Sequence, residues 1–570
     1  MKIKFTKIFS AVVLSVLFFN TTPTYAENSQ FIVDYNIQYS VTEAGETVVI
    51  QTSTITNLKN DTVPTVYTFS AKQLKIYDVS AVSNGKDAKP RIEQKNDETL
   101  VSVDINKYAI GEGRQNTITL TYKTKDIATK SGNIWNINVP RIQIPDTTSR
   151  YDVKLSIPAS FGPKIYLSPT PVIEKKEGNN LAYYFTKETF QLTGITASFG
   201  TYQPLNFKLT YQIKNFSILP MIKEVALPLD IKAMQNVGYQ SIDPKPWFIK
   251  TDHDGNSIAV YILAPLKSLE ITLTGSARLY GKQINLDFGR PFSELPKDLV
   301  KKYTKKQKYW EVDSPYVQKL AQQLKDPTLS VTKNAQKIYN FITQNLTYNF
   351  TAPENGLVER KGAEAVLTQK GSWTCMEFTD LFIATARAMG IPSREVNGYA
   401  FTTEQNSKPI SINLKGGDKL HSWPEFYDPY YGWVQIDPTW GTTSGVDYFS
   451  KLDTNHFAFV VKGLSSEYPF PAGTYRFSDA EKLIEVDLSA TSSDENFTPK
   501  IEVKRVFNFN PIEFLKGNIK LRVKNVGSVF VYNLNAKNIP IGQIINIYVK
   551  RHATELLYKD LGGNNHSYTL

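Results

Sequence analysis

A change in hydrophobic periodicity, from the repeat of strands to the repeat of helices and back, divides this 570-residue chain. From Glu27 to about Tyr202 apolar residues alternate with polar ones, as in Phe31–Val41, and turn residues separate the segments. Helical spacing begins near Arg290, and alternation returns from about Ser465. Because a chain of this length forms several domains, we expect β-rich domains on both sides of a central domain that contains helices.

The pattern predicts four domains after a leader segment, which make the chain a multidomain protein. These are a leader (1–26), a β-sandwich domain (27–202), a second and smaller β-sandwich domain (203–290), a central α+β domain (291–464) and a C-terminal β-sandwich-like domain (465–570). The boundary between the two N-terminal sandwiches is soft, so a single large module is the alternative.

Two helices are predicted in the first part of the central domain. Ser314 followed by Pro315 is typical of a helix start, with a capping residue and then proline at the first helical position. A second amphipathic segment starts at Thr332 and ends near Tyr348.

The single cysteine of the chain, Cys375, lies where a third helix should begin. Thr374 precedes it as a capping residue, and Gly390 provides the stop. A thiol in the first helical turn lies at the positive end of the helix dipole, which favours the thiolate. The alternative is a small buried apolar residue, which is what most lone cysteines are.

A predicted hairpin downstream of this helix carries a histidine and an aspartate. The strand His421–Tyr427 is followed by the turn Asp428–Gly432 and the returning strand Trp433–Asp437. If Tyr427 pairs with Trp433, His421 and Asp437 project from the same face as diagonal neighbours, roughly 7–8 Å apart at the backbone. An imidazole and a carboxylate span that gap, although a slip of one residue would separate them.

Cys375, His421 and Asp437 therefore provide, in this order, a nucleophile, a base and a carboxylate that fixes the tautomer of the base. Such a set splits an unreactive amide through a thioester, with the histidine donating a proton to the departing amine. The sequence thus predicts a catalytic triad.

The stretch Gly362–Gly441 resembles the transglutaminase-like family, a papain-like group of cysteine acyltransferases and proteases. Four motifs carry this resemblance, and they occur in the family's order: the Gly-x-x-x-Cys segment Gly371–Cys375, the helix and exit Leu381–Arg394, the His-x-Trp strand His421–Trp423, and Gly432–Thr439 with its Asp-Pro-Thr end. The resemblance implies a papain-like catalytic core in the central domain and the catalytic roles just described. It covers about a third of the chain at most.

Further residues are candidates for supporting roles. The Cys375 backbone N–H is expected to stabilise the oxyanion together with a second donor, either the Trp373 indole or the Gln369 amide. Trp423 and Trp433 are candidates to line the cleft, with core packing as the alternative. We expect Arg394 to be structural and to pair with a buried carboxylate.

The other histidines fit no motif. His253 is most simply a turn residue, and a metal site there would need further ligands, while His456, His552 and His566 have no motif context. We therefore predict no metal site and no cofactor.

The N-terminal segment predicts export. Lysines at positions 2, 4 and 7 precede the apolar run Ile8–Phe19 and a polar end at Ala26, which is the pattern of a secretory signal peptide. No later stretch approaches transmembrane length, so a secreted or cell-surface protein is expected. The net charge of +11 suits an anionic envelope surface, with plain solvation of the surface as the alternative. Nothing resembles a nucleic-acid-binding module.

The sequence predicts an exported cysteine enzyme that acts on amide bonds of proteins or peptides. Hydrolysis is favoured over cross-linking of glutamine to lysine, because Thr374 and Met376 stand beside Cys375 where the cross-linking animal enzymes have glutamine and tryptophan. The competing hypothesis is a non-catalytic surface scaffold that keeps the transglutaminase-like fold.

Overall fold

The structure is a computed structural model of the 570-residue chain. It describes residues 10–12 (backbone), 30–72, 74–95, 98–140, 144, 147–190, 194–351, 359–402, 408–410, 412–477, 481–488, 497–507, 510–560 and 564–570. The predicted signal peptide, 1–26, lies outside the described residues except for the backbone of 10–12. Within the described part of the chain, no helix has the length and apolar character needed to cross a membrane. The residues form two compact units, Met1–Thr201 and Tyr202–Leu570.

The first unit consists almost entirely of strands around one apolar core. Its elements are β1 (Ser10–Val12), β2 (Phe31–Val41), β3 (Thr47–Asn57), β4 (Pro64–Lys72), β5 (Ile76–Ser83), β6 (Lys86–Ala88), β7 (Arg91–Lys95), β8 (Glu98–Asp104), β9 (Gln115–Thr124), β10 (Ala128–Ser131), β11 (Ile134–Val139), β12 (Thr148–Pro158), β13 (Lys164–Ser168), β14 (Ile173–Glu177), β15 (Asn180–Phe185), helix α1 (Lys187–Phe190) and β16 (Ile195–Phe199). The largest sheet has the order β14-β15-β12-β2-β3-β9-β5-β6.

The predicted strand Phe31–Val41 is confirmed as β2. Its odd-numbered residues are buried, while the residues between them are half-buried or exposed. Strand β3 repeats this alternation, and it pairs with β2 in antiparallel register from Phe31 opposite Asn57 to Val41 opposite Thr47. The period of two residues places each buried side chain on the same face of the sheet.

The second unit begins with a smaller group of strands. They are β17 (Gln203–Lys214), β18 (Met221–Leu227), β19 (Gln235–Asp243), β20 (Phe248–Thr251), β21 (Ser257–Leu263), β22 (Ser268–Leu279) and β23 (Lys282–Gln283). They form the sheets β19-β22-β17 and β18-β21-β20, and a later strand, β30 (Ile484–Asp487), joins the first of these beside β17. Residues from the segment predicted to begin a separate C-terminal domain therefore complete a sheet of the preceding strands.

The central part of the second unit contains helices that pack against a sheet. The elements are α2 (Lys297–Tyr303), α3 (Pro315–Leu324), α4 (Val331–Asn345), α5 (Ala363–Thr368), α6 (Cys375–Ala388), β24 (Ser393–Ala400), β25 (Ile412–Asn413), β26 (Lys419–Asp428), β27 (Gly432–Gln435), α7 (Pro438–Ser444), β28 (Lys451–Leu452) and β29 (His456–Lys462). In the sheet, β26 and β29 flank β24, and β27 pairs with β26. Helix α6 packs against β26 and against α3, α4 and α5.

The predicted helix starts are confirmed in position, with one correction. Ser314 precedes α3, as expected, but its hydroxyl makes no capping bond. Helix α4 begins at Val331 and not at Thr332, because the side chain of Ser330 accepts a hydrogen bond from the Lys333 N–H and so provides the cap.

The described residues after β30 contain two small sheets around their own apolar cluster. The elements are β31 (Ile501–Arg505), α8 (Pro511–Leu515), β32 (Asn518–Asn525), β33 (Val531–Leu534), β34 (Lys537–Ile539), β35 (Ile544–Lys550), β36 (Glu555–Lys559) and β37 (Asn565–Thr569). The sheet orders are β31-β32-β35 and β34-β33-β36-β37. The predicted return to alternation after the helices is thus confirmed as strand.

Candidate active site

Cys375 is the first residue of α6, and its side chain is fully buried. The carboxylate of Glu377 holds this helix start in place, because it accepts hydrogen bonds from the Thr374 backbone N–H (3.1 Å) and hydroxyl (2.6 Å). Thr374 is therefore the N-terminal cap that the sequence predicts. Cys375 therefore lies in the first turn of α6, where the backbone N–H groups have no intrahelical acceptors.

The end of α6 is also as predicted. Gly390 adopts a positive φ of 88°, a conformation that side chains disfavour, and its N–H donates to the Arg387 carbonyl. After Gly390 the chain continues into β24, the strand that pairs with β26 on one side and β29 on the other.

His421 lies on β26, where the predicted hairpin register is confirmed. Tyr427 pairs with Trp433 across β26 and β27, and Glu425 pairs with Gln435. Strand β27 ends at Gln435, so that Asp437 lies at the N-terminal cap of α7. This register brings His421 Nε2 to 2.9 Å from Asp437 Oδ2, with both side chains buried.

Close packing is found on the strand beside His421. Gly398 of β24 lies opposite His421, and a Cβ at Gly398 would approach the Phe457 carbonyl oxygen to 2.1 Å. The absence of a side chain at Gly398 lets β24 and β29 run close together.

Asp437 serves two structural purposes. Its Oδ1 accepts hydrogen bonds from the Thr439 and Trp440 N–H groups, at 2.9 and 3.0 Å, and so caps α7. Its Oδ2 is the atom directed at His421. Burial alone would raise the pKa of this carboxyl, but the adjacent imidazoles outweigh burial and hold the pKa of Asp437 well below its usual range.

The second ring nitrogen of His421, Nδ1, is buried, and no hydrogen bond to it is found among the described residues. Cys375 and Asp437 both interact with this imidazole. Burial alone would lower the pKa of His421, but Asp437 and Cys375 outweigh it and raise the pKa to about 9. The three predicted residues thus lie together, because the imidazole interacts with both Cys375 and Asp437.

A second histidine, His456, reaches the same carboxylate and was not predicted. Its Nε2 lies 3.3 Å from Asp437 Oδ2, and its Nδ1 lies 2.9 Å from Asp453 Oδ1. His456 begins β29, which pairs with β24 so that His456 lies opposite Ala400. The sequence signal that could have indicated this site is a histidine three residues after an aspartate, directly before the apolar strand Phe457–Val461.

Tryptophan rings enclose the two imidazoles. Trp440 stacks on His421 with a centroid separation of 5.3 Å and lies 4.6 Å from His456. Trp423 lies 5.9 Å from His421 and donates its indole N–H to Gln435 Oε1. These apolar walls keep water from the imidazoles and strengthen the electrostatic interactions between them and Asp437.

The other predicted site residues lie in different surroundings. Trp373 is buried two residues before Cys375 in the apolar core of the helices, whereas Gln369 is exposed at the end of α5. Trp433 stacks on the Arg394 guanidinium at 3.7 Å. Arg394 donates to Glu425 Oε1 at 2.7 Å, which confirms the predicted pairing with a buried carboxylate.

His421, Asp437 and His456 each present a potential metal-ligand atom, all within 4.8 Å of one another. A metal bound to these atoms would replace the two imidazole–carboxylate hydrogen bonds, which already satisfy Asp437 Oδ2. We therefore assign the three side chains as hydrogen-bond partners. No ring contact or hydrogen bond of the described residues connects His253, His552 or His566 with this site.

A cysteine, an imidazole and a carboxylate that lie together are the arrangement that cysteine enzymes use. Residues 317–438 match the sequence profile of the transglutaminase-like superfamily. Members of this superfamily are usually cysteine-dependent enzymes.

One curated relative and two solved structures are similar to parts of the chain. An uncharacterized protein, YebA, from Bacillus subtilis (strain 168) is 32% identical over 106 residues, which are 18% of this chain and 14% of the relative. The matched residues thus span only a small part of that relative.

A candidate cysteine protease from Cytophaga hutchinsonii is similar over 50% of this chain and 97% of its own, at 18% identity and a TM-score of 0.31. An M1 zinc metallopeptidase mutant from Deinococcus radiodurans is similar over 35% of this chain and 45% of its own, at 12% identity and a TM-score of 0.21. Both TM-scores are too low to define a shared fold.

Proposed function

We propose that the protein is an exported cysteine enzyme that cleaves amide bonds of proteins or peptides through a thioester on Cys375. In the sequence, its proposed papain-like core is flanked by proposed β-sandwich domains. The observation that carries the proposal is that His421 interacts with both Cys375 and Asp437, with His421 Nε2 at 2.9 Å from Asp437 Oδ2.

The first half of the reaction forms the thioester. His421 holds the proton of the Cys375 thiol, and the sulfur attacks the amide carbonyl carbon. The C–N bond breaks, and the imidazolium donates its proton to the departing amine. Asp437 keeps the imidazole in the orientation that directs Nδ1 to the sulfur, and it stabilises the charged ring.

The second half releases the acyl group. His421 removes a proton from water, the hydroxyl oxygen attacks the thioester carbonyl carbon, and the C–S bond breaks to give a carboxylic acid and the thiol. Developing charge on the carbonyl oxygen would be stabilised by N–H groups at the start of α6, with the Trp373 indole or the Gln369 amide as proposed second donor.

Hydrolysis is favoured over transfer to a lysine amine. Protection of a thioester from water requires a dedicated hydrophobic route for the amine, and the residues beside Cys375 differ from those of the cross-linking animal enzymes. The single cysteine, the signal-peptide pattern and the net charge of +11 support an extracytoplasmic location near an anionic envelope.

The test compares the wild-type chain with Cys375→Ala on a library of glutamine-containing peptides that includes a labelled primary amine. Mass spectrometry reads both products. We expect peptide cleavage that depends on Cys375. Amine incorporation that depends on Cys375 would identify a cross-linking acyltransferase instead, and identical behaviour of both proteins would favour the non-catalytic scaffold.

A further inference from the structure

The carboxylate of Asp437 is shared between two buried imidazoles. Oδ2 lies 2.9 Å from His421 Nε2 and 3.3 Å from His456 Nε2, while Oδ1 accepts two backbone N–H groups of α7. Rotation of this carboxylate would break bonds on both of its oxygens. His456 therefore helps to hold Asp437 Oδ2, the atom that orients His421.

His456 is itself held from its other ring nitrogen. Asp453 Oδ1 lies 2.9 Å from His456 Nδ1, and Asp453 accepts further hydrogen bonds from the Tyr448 hydroxyl and the Asn455 N–H, each at 2.9 Å. The Trp440 ring, 4.6 Å away, covers one side of the imidazole. The Asp453 carboxylate thus orients His456 and is itself held by the Tyr448 hydroxyl and the Asn455 N–H.

Carboxylates on both ring nitrogens make His456 a double donor, which means an imidazolium. Burial alone would lower its pKa, but Asp453 and Asp437 outweigh burial and raise the pKa of His456 to about 9. The titratable groups near the His456 imidazole are Asp437, Asp453 and His421. Lys408 contributes through its charge, which lowers the pKa of Asp453. The positive charge of His456 offsets part of the charge of Asp437 and so limits how strongly Asp437 holds a proton on His421.

On the basis of the proposed function, we propose that His456, oriented by Asp453, is a positioning residue of the active site. It holds the Asp437 carboxylate and adjusts its effective charge without contacting the substrate. The catalytic unit would then be a line of five side chains, from Cys375 through His421, Asp437 and His456 to Asp453.

Two substitutions separate the hydrogen bond from the charge. His456→Gln places an uncharged amide donor near the former Nε2, and His456→Leu removes both the donor and the charge. His566→Gln is the matched control, because His566 also pairs with an aspartate, Asp560 at 3.3 Å, in the C-terminal strands. Each variant is measured for kcat, for folded fraction by circular dichroism, and for the rate of Cys375 alkylation between pH 5 and 10.

We expect His456→Leu to lose about a hundredfold in kcat, since a displaced catalytic group costs that much. His456→Gln should keep most of kcat but shift the upper limb of the pH profile to higher pH, because a positive charge beside the Asp437–His421 pair is gone. The control should match the wild type.

Two results would overturn the inference. Identical pH profiles and kcat for all variants would refute it, and a loss in His456→Leu that only follows its folded fraction would show a purely structural role. Failure of the proposed function can be distinguished from these results, because the wild-type chain itself would then show no turnover and an unreactive Cys375 thiol.

Discussion

The interiors of the first unit and of the central part of the second differ in buried charge. In the described residues of the first unit, every buried polar side chain is uncharged: Thr47, Gln51, Ser53, Asn57, Ser83, Thr99, Asn116, Thr124, Thr148, Ser156, Ser168 and Ser198. Residues 291–464 instead bury Glu377, Asp380, Arg387, Arg394, Glu395, Lys408, Asp418, His421, Glu425, Asp428, Asp437, Asp453, His456 and Lys462.

Buried charge costs free energy unless each ion is paired and hydrogen-bonded, and an apolar replacement of the pair is often as stable. The first unit shows that this chain can build a core without such groups. Their concentration around α6 and β24–β29 therefore fits a requirement for fixed electrostatics at the site, and four measurements test that comparison.

The largest effect is expected for Asp437→Asn. The amide oxygen can still cap α7, but the amide nitrogen faces imidazole N–H groups and so favours the wrong tautomer of His421. We predict a loss of about 10⁴-fold in kcat with a modest change in stability, measured by steady-state kinetics and thermal unfolding. A large loss of stability with kcat retained would contradict this prediction.

Next comes Arg360→Ala, which removes the partner of two buried carboxylates. Arg360 donates to Asp380 (2.9 Å from Nε) and to Glu395 (2.9 Å), and Asp380 also accepts the Trp310 indole N–H. Uncompensated buried charge should lower the free energy of unfolding by about 3–5 kcal/mol. Region-resolved hydrogen exchange should show the loss of stability in α6 and not in β2. An equal loss of stability in α6 and β2 would contradict the proposed difference between the two interiors.

The two interiors should also differ in their response to pH. His421 and His456 have pKa values raised from 6.5 to about 9, so their contribution to stability is complete below pH 6.5 and is lost as pH rises through 9. We predict that the second unit loses stability on the order of a few kcal/mol over that interval. The first unit, with uncharged buried polar groups, should change little. Parallel loss in both units, monitored by hydrogen exchange corrected for intrinsic rates, would contradict the prediction.

The smallest effect is expected for Tyr67→Phe in the first unit. The Tyr67 hydroxyl accepts hydrogen bonds from Gln51 (2.6 Å) and Ser53 (3.1 Å), and the substitution leaves both donors without this acceptor. A cost of about 1–3 kcal/mol follows for neutral groups, measured by urea denaturation. A cost as large as that of Arg360→Ala would mean that charge is not what distinguishes the two regions.

Local patterns in the sequence predicted much of the site. The alternation of Phe31–Val41 and the cap–cysteine–helix order at Thr374 depend on neighbouring residues, and both predictions are confirmed. The Tyr427–Trp433 register was predictable because a short turn connects the two strands.

His456 was not predictable in this way. It follows Asp437 by 19 residues, beyond α7, and reaches the carboxylate only because β29 pairs with the far edge of β24. Strand β30 was missed for the same reason, since its partner β17 lies more than 270 residues earlier in the chain, as the Lys208–Glu485 separation of 277 residues shows. Pairing between distant strands leaves no local signature.

The double role of Asp437 has a consequence for mutational drift and for engineering of this chain. A carboxylate that caps a helix is favoured by folding even when it is not used in a reaction, so its presence in a variant does not by itself indicate selection for activity. In variants of this chain, a change at Asp437 therefore alters the start of α7 as well as the contact with His421.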